Sequence, residues 1–60
     1  MLKTIHLTGK DETDLNNKQL DWQKSANVVI VEVHPDEALP PTELEDRVLR
    51  RIDYYYRAPR

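Results

Sequence analysis

A chain of sixty residues without a single cysteine has few ways to hold itself folded. A compact monomer of this size exposes ~4,100 Å², against ~10,300 Å² for the unfolded chain. If roughly 60% of the difference is apolar, its burial contributes about 90 kcal/mol. Ordering the chain at ~1.5 kcal/mol per residue costs about as much. Small domains this close to balance draw on disulfides, a structural metal, oligomerisation or very good local structure. Disulfides and thiolate zinc sites are closed to this chain, and two histidines alone do not make a structural zinc site. Phe is absent, so the aromatic part of any core rests on Trp22, Tyr54, Tyr55 and Tyr56. One domain over residues 1–60 is expected, with 57–60 as a frayed tail.

Hydrophobic patterning supplies the elements. Leu2–Thr8 alternates, with Ile5 and Leu7 on one side and Thr4, His6 and Thr8 on the other. This is a half-buried strand, ended by Gly9, the only glycine. Asn27–His34 is the strongest β signal: Val29, Val31 and Val33 on one face and Val28 and Ile30 on the other predict a strand covered on both sides. Between the two, 14–26 reads as a crossover helix. Leu15, Gln19, Trp22 and Ala26 form its apolar stripe, Thr13 or Asp14 caps it, and Ser25-Ala26-Asn27 leads out. A short edge strand over Lys18–Gln23 is the competing reading.

Beyond a proline-punctuated loop, Thr42-Glu43-Leu44-Glu45 has the form of a capping box. Leu44, Val48, Leu49, Ile52, Tyr55 and Tyr56 then share one side of a helical wheel. Glu43–Arg47, Asp46–Arg50 and Asp53–Arg57 fall at i,i+4 with the acid first, the favourable orientation. The predicted fold is therefore α+β, a small β-α-β-α two-layer domain; the alternative is a three-stranded antiparallel meander plus a C-terminal helix. Either sheet is thin and open at its edges, so completion by dimerisation is expected.

Charge is unevenly spread. Nine basic and eleven acidic residues give −2, yet residues 47–60 hold all five arginines against the single acid Asp53. Arg47, Arg50, Arg51 and Arg57 are thus candidates for contacts to an anion or nucleic acid, with tyrosines placed to stack on bases. Pairing along the helix accounts for most of them without a ligand. Trp22, Leu49, Ile52, Tyr54, Tyr55 and Tyr56 are the candidate partner or dimer interface, since large aromatic side chains favour interfaces.

His6, His34 and Glu32 would resemble a three-ligand zinc site if two strands brought them together, but solvated strand-end histidines are the preferred reading. No metal or cofactor is expected. Thr8-Gly9-Lys10 lacks the glycines of a phosphate loop, and Ser25, the only serine, has no nucleophile context. The longest apolar run, Val28–Val31, is far short of the ~20 residues of a membrane span, and no signal-peptide core is present; a cytoplasmic location is expected. The sequence points to a small non-enzymatic protein–protein interaction or regulatory module, a homodimer acting through its C-terminal Arg/Tyr helix. A nucleic-acid-binding protein is the alternative, and a small metal-dependent enzyme ranks last.

Overall fold

The computed structural model describes residues 1–41 and 45–58. Five elements follow one another: β1 (Lys3–Gly9), α1 (Glu12–Ala26), β2 (Val28–Val33), β3 (Glu37–Ala38) and β4 (Val48–Tyr56). The strands form one four-stranded sheet in which β4 is the partner of all the others, always antiparallel. β1 lies along one side, in register from Lys3↔Tyr54 to Gly9↔Val48. β2 and β3 share the other side, β2 opposite Ile52–Tyr56 and β3 opposite Val48 and Leu49. His34 N–H bridges the gap between them by donating to the Arg51 carbonyl at 2.9 Å. Because β1 and β2 both oppose β4, they run in the same direction, with β4 inserted between them and α1 as the crossover.

The helix forms where the crossover reading places it, with a different cap. Asp11, not Thr13 or Asp14, accepts from the Asp14 N–H at 2.8 Å, and the Asp14 carboxylate accepts in turn from the Lys10 N–H at 3.0 Å. Two orphan donors are thereby satisfied. Asn27 ends the helix in the left-handed region, φ 52 and ψ 59, a conformation that asparagine tolerates better than most residues.

The C-terminal helix does not form. Val48–Tyr56 is instead a nine-residue strand at the centre of the sheet, which overturns both the β-α-β-α order and the meander-plus-helix alternative. Thr42, Glu43 and Leu44 of the expected capping box lie outside the described residues, as do residues 59 and 60 of the expected tail. Two of the acids assigned to helical pairs are engaged elsewhere: Asp46 accepts from the Thr8 hydroxyl at 2.6 Å, and Asp53 accepts from the Thr4 hydroxyl at 2.8 Å. Glu45 of the expected capping box meets Lys10 at 3.1 Å. Local charge pairing is worth only ~0.2–0.5 kcal/mol per pair. Two flanking strands offer hydrogen bonds along most of β4, and Val, Ile and Tyr suit a pleated surface.

Among the described residues, a helix covers one face of the sheet. Leu15 of α1 and Ile52 of β4 are fully buried between the layers, with Val28 and Tyr54 almost so. Trp22 stands edge-on to Tyr54 at a centroid distance of 4.8 Å, and Tyr54 repeats that geometry with Tyr56 at 5.6 Å. The expectation that β2 would be covered on both faces is not met, since α1 is the only helix among the described residues.

Gly9 is buried where the start of α1 folds back on β1. A Cβ there would stand 2.9 Å from Asp14 Oδ2 and 3.2 Å from both the Leu15 backbone N and its Cγ. Its backbone is not left-handed, so the requirement is one of space. Gly9→Ala is expected to cost about 1–3 kcal/mol, read as a lower urea midpoint; an unchanged midpoint would show that α1 can shift to make room.

Candidate functional site

Alternation along β4 sorts its side chains. Arg50, Ile52, Tyr54 and Tyr56 point toward α1, and Leu49, Arg51, Asp53 and Tyr55 point to the uncovered face. Arg50 therefore enters the interlayer space, where it is 7% exposed. Its Nε and Nη2 bind the two oxygens of Asp36 at 2.7 and 2.8 Å, and Nη1 donates to Asn16 Oδ1 at 2.8 Å and Gln19 Oε1 at 2.9 Å. This fork joins β4, the helix and the loop between β2 and β3. The Arg50 guanidinium holds the Asp36 carboxyl below the usual carboxylate range, and Asp36 in turn raises the Arg50 pKa.

On the uncovered face, cross-strand pairing sets Thr4 beside Asp53, His6 beside Arg51, Thr8 beside Leu49 and Val29 beside Tyr55. A β-bulge between Ile30 and Glu32 then alters the alternation of β2. Val29 faces outward opposite Tyr55, but Val33 faces α1 opposite Ile52. The extra residue, Val31, shifts Glu32 and His34 onto the uncovered face.

There they meet Asp53. His34 Nε2 lies 2.9 Å from Asp53 Oδ2 and 3.7 Å from Glu32 Oε2, and ligand atoms of all three residues fall within 4.8 Å of one another. Thr4 Oγ1 donates to the other Asp53 oxygen at 2.8 Å. The His34 and Asp53 side chains are half-buried at 23% and 20% exposure, whereas Glu32 is exposed. The hydrogen bond from His34, with that from Thr4, lowers the Asp53 pKa from its ordinary value.

The structure thus brings together two members of the set read from the sequence, Glu32 and His34, and substitutes Asp53 for His6. Asp53 escaped the sequence reading because a helical wheel pairs it with Arg57. Of the candidate interface residues, Ile52, Tyr54 and Trp22 are used within this chain's own interlayer packing, Leu49 and Tyr55 lie on the uncovered face, and Tyr56 is exposed with the Lys3 ammonium 5.9 Å from its ring centre. The four arginines do not share one surface. Arg50 is inside and Arg51 is outside; Arg47 N–H donates to the Gly9 carbonyl and Arg57 N–H to the Asn27 carbonyl, at 2.8 and 3.2 Å. No family model matches the chain, and neither a curated protein nor a solved structure matches it. No helix among the described residues is long and apolar enough to cross a membrane.

Two outcomes follow from these contacts. Arg50→Met is expected to cost about 2–4 kcal/mol, because it removes charge-assisted bonds and strands Asp36. Arg50→Lys, which keeps the charge and loses the fork, should recover less than half of that loss in urea titrations; full recovery would mean charge alone suffices. Second, Asp36 and Asp53 have folded pKa values below their unfolded values near 3.8. Their stabilisation is complete above that value and is lost as pH falls through the lowered folded values. Stability should therefore drop below about pH 4, and Asp53→Asn should flatten part of that decline. An acid limb identical to the parent's would exclude Asp53 as a contributor.

Proposed function

We propose that this chain is a small non-enzymatic interaction module that acts as a homodimer, with two copies joined edge to edge through β1. The observation that carries this reading is the contrast between the two outer edges of the sheet. The β2–β3 edge is interrupted by the bulge at Val31 and by Pro35, which has no N–H to offer, both familiar devices against edge pairing. The β1 edge is a regular seven-residue run with neither.

Register identifies the groups it offers. The Gly9 carbonyl points to β4, where it accepts from Arg47 N–H, so by alternation the backbone groups of Thr8, His6 and Thr4 point outward. Lys18 Nζ takes the Thr8 carbonyl at 2.8 Å, but that oxygen has a second lone pair, and those of His6 and Thr4 lie further along the edge. A two-fold axis at His6 would pair His6 with its copy and Thr4 with Thr8 of the second copy.

Size supports the same reading. The chain exposes 4702 Å², more than the ~4,100 Å² of a compact monomer of this size. Among the described residues, Leu15 and Ile52 are the largest fully buried side chains. The nucleic-acid alternative is weaker, because Arg50 is committed inside and carboxylates of Glu32 and Asp53 share the uncovered face with Arg51.

Sedimentation at tens of micromolar should give a dimer, and His6→Pro should give a folded monomer. The substitution removes an outward N–H and leaves the bonds to β4 intact, a position where an edge strand tolerates proline. A monomeric parent, or a His6→Pro dimer as tight as the parent, would overturn the reading.

A further inference from the structure

The uncovered face carries a cluster that pairing within the chain leaves electrically incomplete. Two carboxylates, Asp53 and Glu32, converge on the same nitrogen, His34 Nε2, at 2.9 and 3.7 Å. One imidazole nitrogen has one proton to give, so it can satisfy one of them. With His34 neutral the trio carries a charge of two minus; with His34 protonated it still carries one minus. Arg51 adds a longer-range attraction to Asp53, but the His and Thr4 contacts are the ones that hold that carboxylate in place.

We propose that Glu32, His34 and Asp53 bind a divalent transition-metal ion of the zinc class, with the remaining coordination positions open to water or a partner. The donor set, one imidazole nitrogen and two carboxylate oxygens, is one that zinc accepts. Bonds of ~2.0–2.1 Å at tetrahedral angles place neighbouring donor atoms about 3.3 Å apart. The two separations from His34 lie on either side of that value. The third, between the carboxylates, closes by swinging the exposed Glu32 side chain.

Two features of the chain prepare this arrangement. The bulge at Val31 turns Glu32 and His34 to the face where Asp53 stands; unbroken alternation from Ile30 would have sent both toward α1. Thr4 acts one step further out, because its hydroxyl bond to Oδ1 orients the carboxylate with Oδ2 toward His34. Such outer contacts commonly govern metal affinity by ~10–100-fold. The three ligands come from β2, the residue that follows it and β4; Thr4 is on the β1 edge invoked for dimerisation, but it serves the site through its hydroxyl and that edge through its backbone.

The test is calorimetric titration of the full chain with zinc chloride near neutral pH, with cobalt(II) absorption as a second readout. One zinc per chain is expected, with visible cobalt bands of a low-coordinate site. His34→Gln should abolish binding. Glu32→Gln, at an exposed position that does not threaten folding, should weaken it about tenfold, and Thr4→Val should weaken it about tenfold through orientation of Asp53. His6→Gln, on the same face but outside the cluster, should leave affinity unchanged. No binding at millimolar zinc, binding unaffected by His34→Gln and Glu32→Gln, or equal loss in His6→Gln would each overturn the proposal. Dimerisation by sedimentation is read separately, so failure of one proposal does not decide the other.

Discussion

A single buried guanidinium connects the parts of this fold that share no strand pairing. Arg50 stands on the central strand, points into the space between sheet and helix, and binds Asp36 on one side and Asn16 and Gln19 on the other. Burying a cation is costly unless its donors are met, and here each of its three nitrogens is engaged. In so small a core, with Leu15 and Ile52 the largest fully buried side chains among the described residues, this polar contact does part of what apolar volume does in larger domains. It also specifies geometry: the planar fork fixes where α1 lies over β4 and where the chain turns after His34.

The two faces of the sheet consequently have different characters. One is closed by α1 and contains the Trp22–Tyr54 packing and the Arg50 fork. The other is open and holds Thr4, His6, Glu32, His34, Arg51, Asp53 and Tyr55. The bulge in β2 is the device that divides them, because it puts Val33 on the side of Ile52 and the polar residues Glu32 and His34 on the other. Polar chemistry and core packing occupy one short strand without competing for the same side.

How far this was legible in the residues differs from element to element. β1 and the crossover helix each carry a local pattern that packing preserves, and α1 ends at Asn27 as its Ser-Ala-Asn exit suggests; β2 was legible as a strand, but the bulge that sends Val29 and Val33 to opposite faces was not. The stretch from Val48 to Tyr56 was misleading for a physical reason. Arg50 on the core side and Leu49 and Tyr55 on the open side blur the period of two. Acids and arginines four apart imitate a helical surface. What decides the outcome is the pairing on either side of it, and that information lies far along the chain, in Lys3–Gly9 and Val28–Val33. The Glu32–His34–Asp53 cluster was half visible for the same reason: two of its members are near neighbours in the chain, and the third depends on strand pairing.

The order of the strands gives the domain one further property. β1, β2 and β3 make no pairing with one another; each is bonded to β4, which comes last of the four. While the chain is being synthesised, no two strands can join until Val48–Tyr56 has been made. The earlier segments must wait, with α1 the only element able to form early. Their edges and apolar side chains stay available to other chains in that interval, and the sheet then closes on both sides of β4 once that strand arrives.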